Sequence, residues 1–106
     1  MASMVVDWGG LNIGDNTIFG NYVSIHPETH CFSDIHIPIR EQGVYTKGGV
    51  VIGRDCWIGA KVTILDGTRL GNGCIVAAGA VVSGIFPDNC IIGGVPAKII
   101  KFRSNE

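Results

Sequence analysis

The sequence predicts an all-β solenoid, with short strands wound into three-sided coils that stack in parallel. Three observations predict it. Broken every six residues from position 52, the chain reads IGRDCW, IGAKVT, ILDGTR, LGNGCI, VAAGAV, with an aliphatic residue leading each step. That spacing fits neither the 3.6-residue period of a helix nor the alternation of an ordinary strand; a short fixed period with turn-friendly residues between is the mark of a stacked β-coil. Glycine makes up 16 of the 106 residues, about twice the usual ~7%. Finally, glycines recur through every segment long enough to be a helix, where each costs about 1 kcal/mol relative to alanine.

The elements follow in chain order. Residues Met1–Asn12 precede the repeat and are expected to cover the open edge of the first coil, with Trp8 and Leu11 helping, because unpaired strand edges aggregate. The template aliphatic–Gly–x–x–small–x then fits from Ile13, Phe19 and Ile25, and again from Ile52, Ile58, Ile64, Leu70, Val76 and Val82. Three steps close one coil. The lead residue and the small residue four later point inward and pack on their counterparts in the next coil, about 4.8 Å away. The glycine after the lead residue is assigned to the bend. Cys56 and Cys74, both at the small inward position, should stack on each other as core residues. Residues 31–49 do not fit the template and read as a loop thrown out from a coil; loops of this length are uncommon and usually functional. Ile85–Cys90 reads as a turn before the end, and after Gly93-Gly94-Val95-Pro96 the tail leaves the solenoid. The expectation is thus a single domain over 1–106, with coils at about 13–30 and 52–96, an extended loop at 31–49 and a tail at 97–106.

Composition excludes several classes of function. The net charge is −1 with no basic run, which argues against nucleic acid. The longest apolar stretch, Cys74–Val82, falls far short of the ~18 residues of a membrane span. MASMVVDWGG has no charged start or long apolar run and does not read as a signal peptide, so a cytoplasmic protein is expected. Cys31, Cys56, Cys74 and Cys90 form no CxxC pair. Without a secretory signal they read as free thiols, and no metal site is expected.

The segments IGDNTIFGNYVSIHPETH (13–30), IPIREQG (37–43), VVIGRDCWIGAKVTILDGTRLGNGCIVAAGAVV (50–82) and GGVPAKII (93–100) carry a resemblance. The chain resembles the hexapeptide-repeat acyltransferases, and within them the galactoside/maltose O-acetyltransferases and related polysaccharide O-acetyltransferases. The W-I-G-A, A-A-G-A-V-V and G-V-P-A-K steps together are its most specific part. The resemblance implies a left-handed parallel β-helix, against the usual right-handed crossover rule. It also implies acetyl-CoA as donor, a sugar or saccharide-like hydroxyl as acceptor, and a homotrimer with active sites between subunits. The thin coil independently favours association, because it leaves apolar surface uncovered.

His26, His30 and His36 are the chain's three histidines. On the residues alone His30 reads equally as an exposed loop histidine; the resemblance gives it the role of general base, since it follows IGDN at the family's distance and opens the loop. A neutral imidazole can take the acceptor's proton as its oxygen attacks the thioester. Glu28, Asp34 and Glu41 are near in sequence, and spacing favours none as its partner. Cys31 is adjacent, but neighbours in an extended chain point to opposite sides, which places it badly for a Cys–His pair.

Trp57, in the last slot of its step, should face outward; the resemblance places a tryptophan here near the thioester end of the donor, and burial at a subunit interface is the alternative. The resemblance places the pantetheine arm along backbone at Gly59-Ala60, Ala78 and Ser83, where small residues permit close approach. An amide there would also serve the oxyanion. Lys98, Lys101 and Arg103 are candidates for the CoA phosphates, or form a solvated tail. Asp7 falls where an acceptor-binding acid is expected. The sequence departs from its relatives in three ways: Ala60 replaces a usual serine, Gly84 replaces a usual lysine, and the helical segment and further coil that relatives carry before Val5–Asp7 have no counterpart. That shortened front motivates a second reading, a catalytically weak or inert trimeric repeat protein that binds a ligand or partner. A third, a metalloenzyme like the γ-class carbonic anhydrases, is disfavoured because the three histidines cluster in one short span.

Overall fold

The computed structural model describes residues 10–104. Its strands are β1 (Leu11–Ile13), β2 (Ile18–Phe19), β3 (Ser24–His26), β4 (Thr29–His30), β5 (Val44–Tyr45), β6 (Val50–Ile52), β7 (Trp57–Ile58), β8 (Thr63–Leu65), β9 (Arg69–Leu70), β10 (Ile75–Val76), β11 (Val81–Val82), β12 (Ile85–Phe86), β13 (Cys90–Gly94) and β14 (Ala97–Phe102). They form a three-sided column. One face is β1-β6-β9-β12, the second β2-β7-β10-β13 and the third β3-β8-β11, and every pairing within these sets is parallel.

The predicted lead residues stack in register. Ile13 sits beside Ile52 and then Leu70, Phe19 beside Ile58 and Val76, and Ile25 beside Ile64 and Val82. Ile25, Ile52, Ile58, Ile64, Leu70, Val76 and Val82 are all buried, as are Val23, Cys56, Val62, Thr68, Cys74 and Ala80 at the small inward position. The core is therefore one long thin row of aliphatic side chains, which is how a short chain builds a continuous interior. Two lead residues of the first described coil are the exceptions, Phe19 being partly buried against the core and Ile13 41% exposed; that coil has a neighbour on one side only among the described residues. Leu11 belongs to that coil as part of β1 and packs on the core, so it is not a cover lying over the edge; Trp8 lies outside the described residues.

Three further expectations from the sequence need correction. The glycines after the lead residues do not make the bends: Gly14, Gly20, Gly53, Gly59 and Gly71 all lack positive φ. They stand where adjacent coils touch. A Cβ on Gly59 would lie 2.7 Å from the amide nitrogen of Ala78, and one on Gly53 2.7 Å from the carbonyl carbon of Gly71. The left-handed turn comes two positions later, at Asn16, Tyr22, Asp55, Lys61, Gly67, Gly73 and Gly79. Asparagine and aspartate tolerate that region better than most side chains, and the corner they occupy is braced by side chains from the next coil. Asn72 Oδ1 accepts from the Arg54 amide at 2.9 Å and Asp88 Oδ1 from the Asn72 amide at 2.8 Å.

The second correction concerns Ile85–Cys90, which continues the coil. Phe86 pairs with Leu70 sixteen residues back, two fewer than a full coil, and Ile92 pairs with Val76 in the same shortened register. Cys90 thereby takes the small inward position. Its sulfur lies 3.5 Å from that of Cys74, while the Cys56 thiol reaches the Gly71 carbonyl at 3.2 Å. Cys56, Cys74 and Cys90 are buried free thiols and Cys31 is half-buried. The neighbouring Cys74 thiol, and then burial, hold Cys56 far above the usual thiol range; the ladder is closed to solvent along its length, with Cys74 and Cys90 fully buried, and serves as packing.

The third correction is the tail. Ala97–Phe102 folds back as β14, antiparallel to β13, and adds a fifth strand to the second face. Arg103 ends this return: its amide donates to the Asn89 carbonyl at 2.8 Å and Nη1 to the Gly73 carbonyl at 2.9 Å.

Candidate active site

Residues 31–49 leave the column at the edge where the third face passes to the first. β4 pairs antiparallel with β5, Thr29 opposite Tyr45 and His30 opposite Val44, and the Cys31 amide donates to the Gly43 carbonyl at 2.9 Å. The predicted loop is thus an arm with its own ladder. Its tip is also ordered by local bonds. The Asp34 carboxylate accepts from the His36 amide at 2.9 Å, and Gln42 Nε2 donates to the carbonyls of Ile37 and Asp34 at 2.6 and 2.8 Å. A 3-10 turn at Ile39–Glu41 closes it.

The arm's base is clamped by a side chain the sequence did not single out. Asp66, buried at the adjoining edge, accepts from four groups of the arm. Its Oδ2 takes the Thr29 hydroxyl at 2.7 Å and the Lys47 amide at 2.6 Å; its Oδ1 takes the Gly49 amide at 2.9 Å and the Thr46 hydroxyl at 3.4 Å. Arg69 holds the same return leg from the other side, with Nη1 on the Gly49 carbonyl at 2.9 Å and Nη2 on that of Gly48 at 3.1 Å. Burial alone would raise the Asp66 pKa, but the bonds from Lys47, Thr29, Gly49 and Thr46 outweigh it and hold the carboxyl below the usual carboxylate range. A depressed folded pKa stabilises the clamp above the unfolded carboxyl's ~3.9 and loses that contribution as pH falls through the depressed value. A carboxyl-carbon NMR titration of Asp66 should accordingly give a midpoint below ~3.9, with exchange protection at the Lys47 and Gly49 amides lost over the same interval.

His30 is exposed at the start of this arm. Among the described residues its ring has no hydrogen-bond or ion-pair partner, so both nitrogens are open to an incoming group. The carboxylates near it in sequence do not pair with it. Asp34 serves the arm tip, Glu41 lies 4.0 Å from Arg40, and Glu28 has its Oε2 buried without a hydrogen bond. His26 is exposed on the third face beside Leu65, and His36 lies at the arm tip.

The residues assigned to the donor lie elsewhere. Trp57 faces outward, 54% exposed, in a row with Ile18 and Ile75 on the second face. It lines a shallow cleft of about 170 Å³ with Asn16, Asp55, Cys56 and Arg103. Gly59 and Ala60 begin the next edge, where the Gly79 amide donates to the Ala60 carbonyl at 2.9 Å and Ala78 stacks over Gly59. Among the described residues the amides of Ala60 and Ala78 carry no hydrogen bond, which leaves two adjacent N–H donors along this edge. Lys98 and Lys101 are exposed on β14, at the end of the same face. Arg103 is committed to Gly73, with Asp55 4.0 Å away. Ser83 is exposed just beyond β11, on the arm's side of the column. Asp7 lies outside the described residues. The structure thus brings Trp57, Gly59, Ala60 and Ala78 together on one face and its exit edge, and puts His30 at the edge across the column from that face. Among the described residues no group of three His, Cys, Asp or Glu side chains is placed to hold a metal ion, and no helix is long and apolar enough to cross a membrane.

Residues 49–84 match the bacterial transferase hexapeptide family, described by six repeats. The chain is similar to a probable acetyltransferase of Mycobacterium tuberculosis, 43% identical over 88% of this chain and 31% of that protein. It is also similar to the galactoside O-acetyltransferase of Escherichia coli, 30% identical over 92% of this chain and 46% of the relative. Among solved structures, a hexapeptide-repeat acetyltransferase of Vibrio cholerae complexed with acetyl coenzyme A superimposes with a TM-score of 0.84 at 28% identity, covering 95% of this chain and 54% of that one. The fold shared with such neighbours is the left-handed parallel β-helix. The chain spans about a third to a half of the length of these curated relatives.

Proposed function

We infer that a chain built on the hexapeptide repeat of bacterial transferases, as this one is, moves an acetyl group from acetyl-CoA to a hydroxyl of a sugar or saccharide-like acceptor. The observation that carries the reading is His30 itself: an exposed imidazole, unpartnered among the described residues, on an arm fixed at its base. The galactoside acceptor of one relative and the acetyl coenzyme A held by one structural neighbour support the substrate classes.

The chemistry is a direct transfer. The neutral imidazole of His30 takes the hydroxyl proton as the acceptor oxygen attacks the thioester carbonyl. The free amides of Ala60 or Ala78 offer donors to the oxyanion of the tetrahedral intermediate. Collapse expels the CoA thiolate, which recovers the proton from the imidazolium, leaving ester and free thiol. The donor lies along the Trp57–Gly59–Ala60–Ala78 edge, with Lys98 and Lys101 toward its phosphates and Ser83 bordering the arm's side. Asp7 is assigned to the acceptor pocket. Because one chain sets His30 and the donor edge on different sides of the column, a working site takes the arm of one copy and the donor edge of the next. A homotrimer closes that arrangement as a ring with one site at each seam. A cytoplasmic setting suits the four free thiols.

The test is acceptor-dependent thiol release. Purified protein is given acetyl-CoA with a panel of monosaccharides, oligosaccharides and simple alcohols, and free CoA thiol is followed. Release that requires a sugar hydroxyl is the expected result. Donor binding with no turnover on any acceptor would instead favour the inert, ligand-binding trimer.

A further inference from the structure

We propose that Asp66 is a positioning residue for the base, acting through the hydroxyl of Thr29 to fix the direction in which His30 points. The proposal rests on the reading of His30 as the base. Thr29 and His30 are consecutive in β4, so their side chains leave opposite sides of the strand. The 2.7 Å bond from Thr29 Oγ1 to Asp66 Oδ2 turns Thr29 toward the column, and the pleat then turns His30 away from it. The same oxygen accepts the Lys47 amide at 2.6 Å. One carboxylate oxygen therefore joins the outgoing leg of the arm to its return leg.

The support for that oxygen is rigid. Asp66 stands between Ile64 and Thr68, both fully buried, and the Thr68 hydroxyl donates to the Leu65 carbonyl at 2.7 Å. The second carboxylate oxygen is occupied by the Gly49 amide. Without these bonds, His30 would be held by a two-residue pairing with β5 and the Cys31 amide, with the return leg kept in place by Arg69 and by a long Thr46 hydroxyl bond to the Pro27 carbonyl at 3.4 Å. So short a ladder is marginal by itself. A catalytic base displaced by about 1 Å can lose 10²-fold in rate. The geometry thus predicts a cost in kcat rather than in donor affinity, since nothing in the clamp touches the Trp57–Ala78 edge.

Thr29→Val removes the hydroxyl at nearly constant volume, and Thr29→Ser restores it. The expected result for Thr29→Val is a fall in kcat of roughly 10- to 100-fold, an unchanged KM for acetyl-CoA and a melting temperature close to wild type. Thr29→Ser should recover most of the rate, and Asp66→Asn should lower kcat as Thr29→Val does. Amide exchange at Cys31 and Lys47, which needs no turnover, should speed up in Thr29→Val and return in Thr29→Ser. A Thr29→Val chain with wild-type kcat, or one that Thr29→Ser fails to rescue, overturns the proposal. His30→Ala, run in parallel, separates the two ideas. If it retains activity the base assignment fails; if it is inactive while Thr29→Val is not, only the positioning role fails.

Discussion

Alanine in place of His30 is expected to lower kcat for acetyl transfer by about 10³-fold, within the 10²–10⁴ that a positioned general base supplies, while donor binding survives. The separation of the two functions follows from the fold. His30 stands on an arm at one edge of the column, whereas Trp57, Gly59, Ala60 and Ala78, proposed here to take the donor, occupy another face and its exit edge. Removing an exposed imidazole with no partner among the described residues costs the fold little, on the order of 0.5 kcal/mol or less. Initial rates at saturating acceptor, with acetyl-CoA binding followed by calorimetry, check both halves. Equal losses of donor affinity and rate would place His30 against the donor instead of the acceptor proton.

The largest effect on stability is expected from Ile64→Ala. Ile64 is fully buried in the middle coil and stacks in register between Ile25 and Val82. Removing its branched side chain leaves a cavity that stiff parallel strands on both sides cannot close, at a cost of about 2–5 kcal/mol. For a chain of this length that corresponds to a fall in melting temperature of roughly 10–20 °C or more. Ile64→Val removes a single methylene and should cost about 0.5–1.5 kcal/mol. Thermal unfolding of the two variants side by side gives the comparison. In a stack where each coil touches only its neighbours, a defect at the centre weakens the coupling of both halves.

The central coils were legible because the core position is repeated: from Ile52 to Val82 one rule places every inward residue. The rule failed where the register shortened. Between Val82 and Phe86 two residues are missing from the step, so a fixed six-residue count passes over Phe86 and Cys90, and the continuing coil reads as a turn. It also misread the glycines. A required glycine looks the same in sequence whether it is demanded by positive φ or by a backbone 2.7 Å from its missing Cβ, as at Gly59. Ala97–Phe102 read as a departing tail because its partner is β13 itself, and nothing in AKIIKF announces an antiparallel return.

At the candidate site, the sequence singled out His30 as the candidate base and turned Trp57 outward, as it lies, but gave no sign of what holds the arm. Asp66 occupies the same step of the repeat as Asp15, which is exposed. An acid there is ordinary in solvent, and only the arm folding over Asp66 buries it. Thr46, Lys47 and Gly49, which complete the clamp, lie outside the repeat and give no periodic signal. The separation of His30 from the donor edge was equally invisible, because linear spacing does not say which side of a three-sided column a residue faces.

That separation underlies the claim that each active site is shared between copies. Co-assembling two inactive chains tests it most directly: His30→Ala, which lacks the base, and Ala78→Trp, which fills the donor edge. Each should be inactive alone. Mixed rings place the intact arm of one chain against the intact donor edge of another at about a quarter of the seams if copies assort at random, so the mixture should recover roughly that share of wild-type rate. Mixed rings that form, as tagged-chain capture would show, yet remain as inactive as either parent would contradict the account.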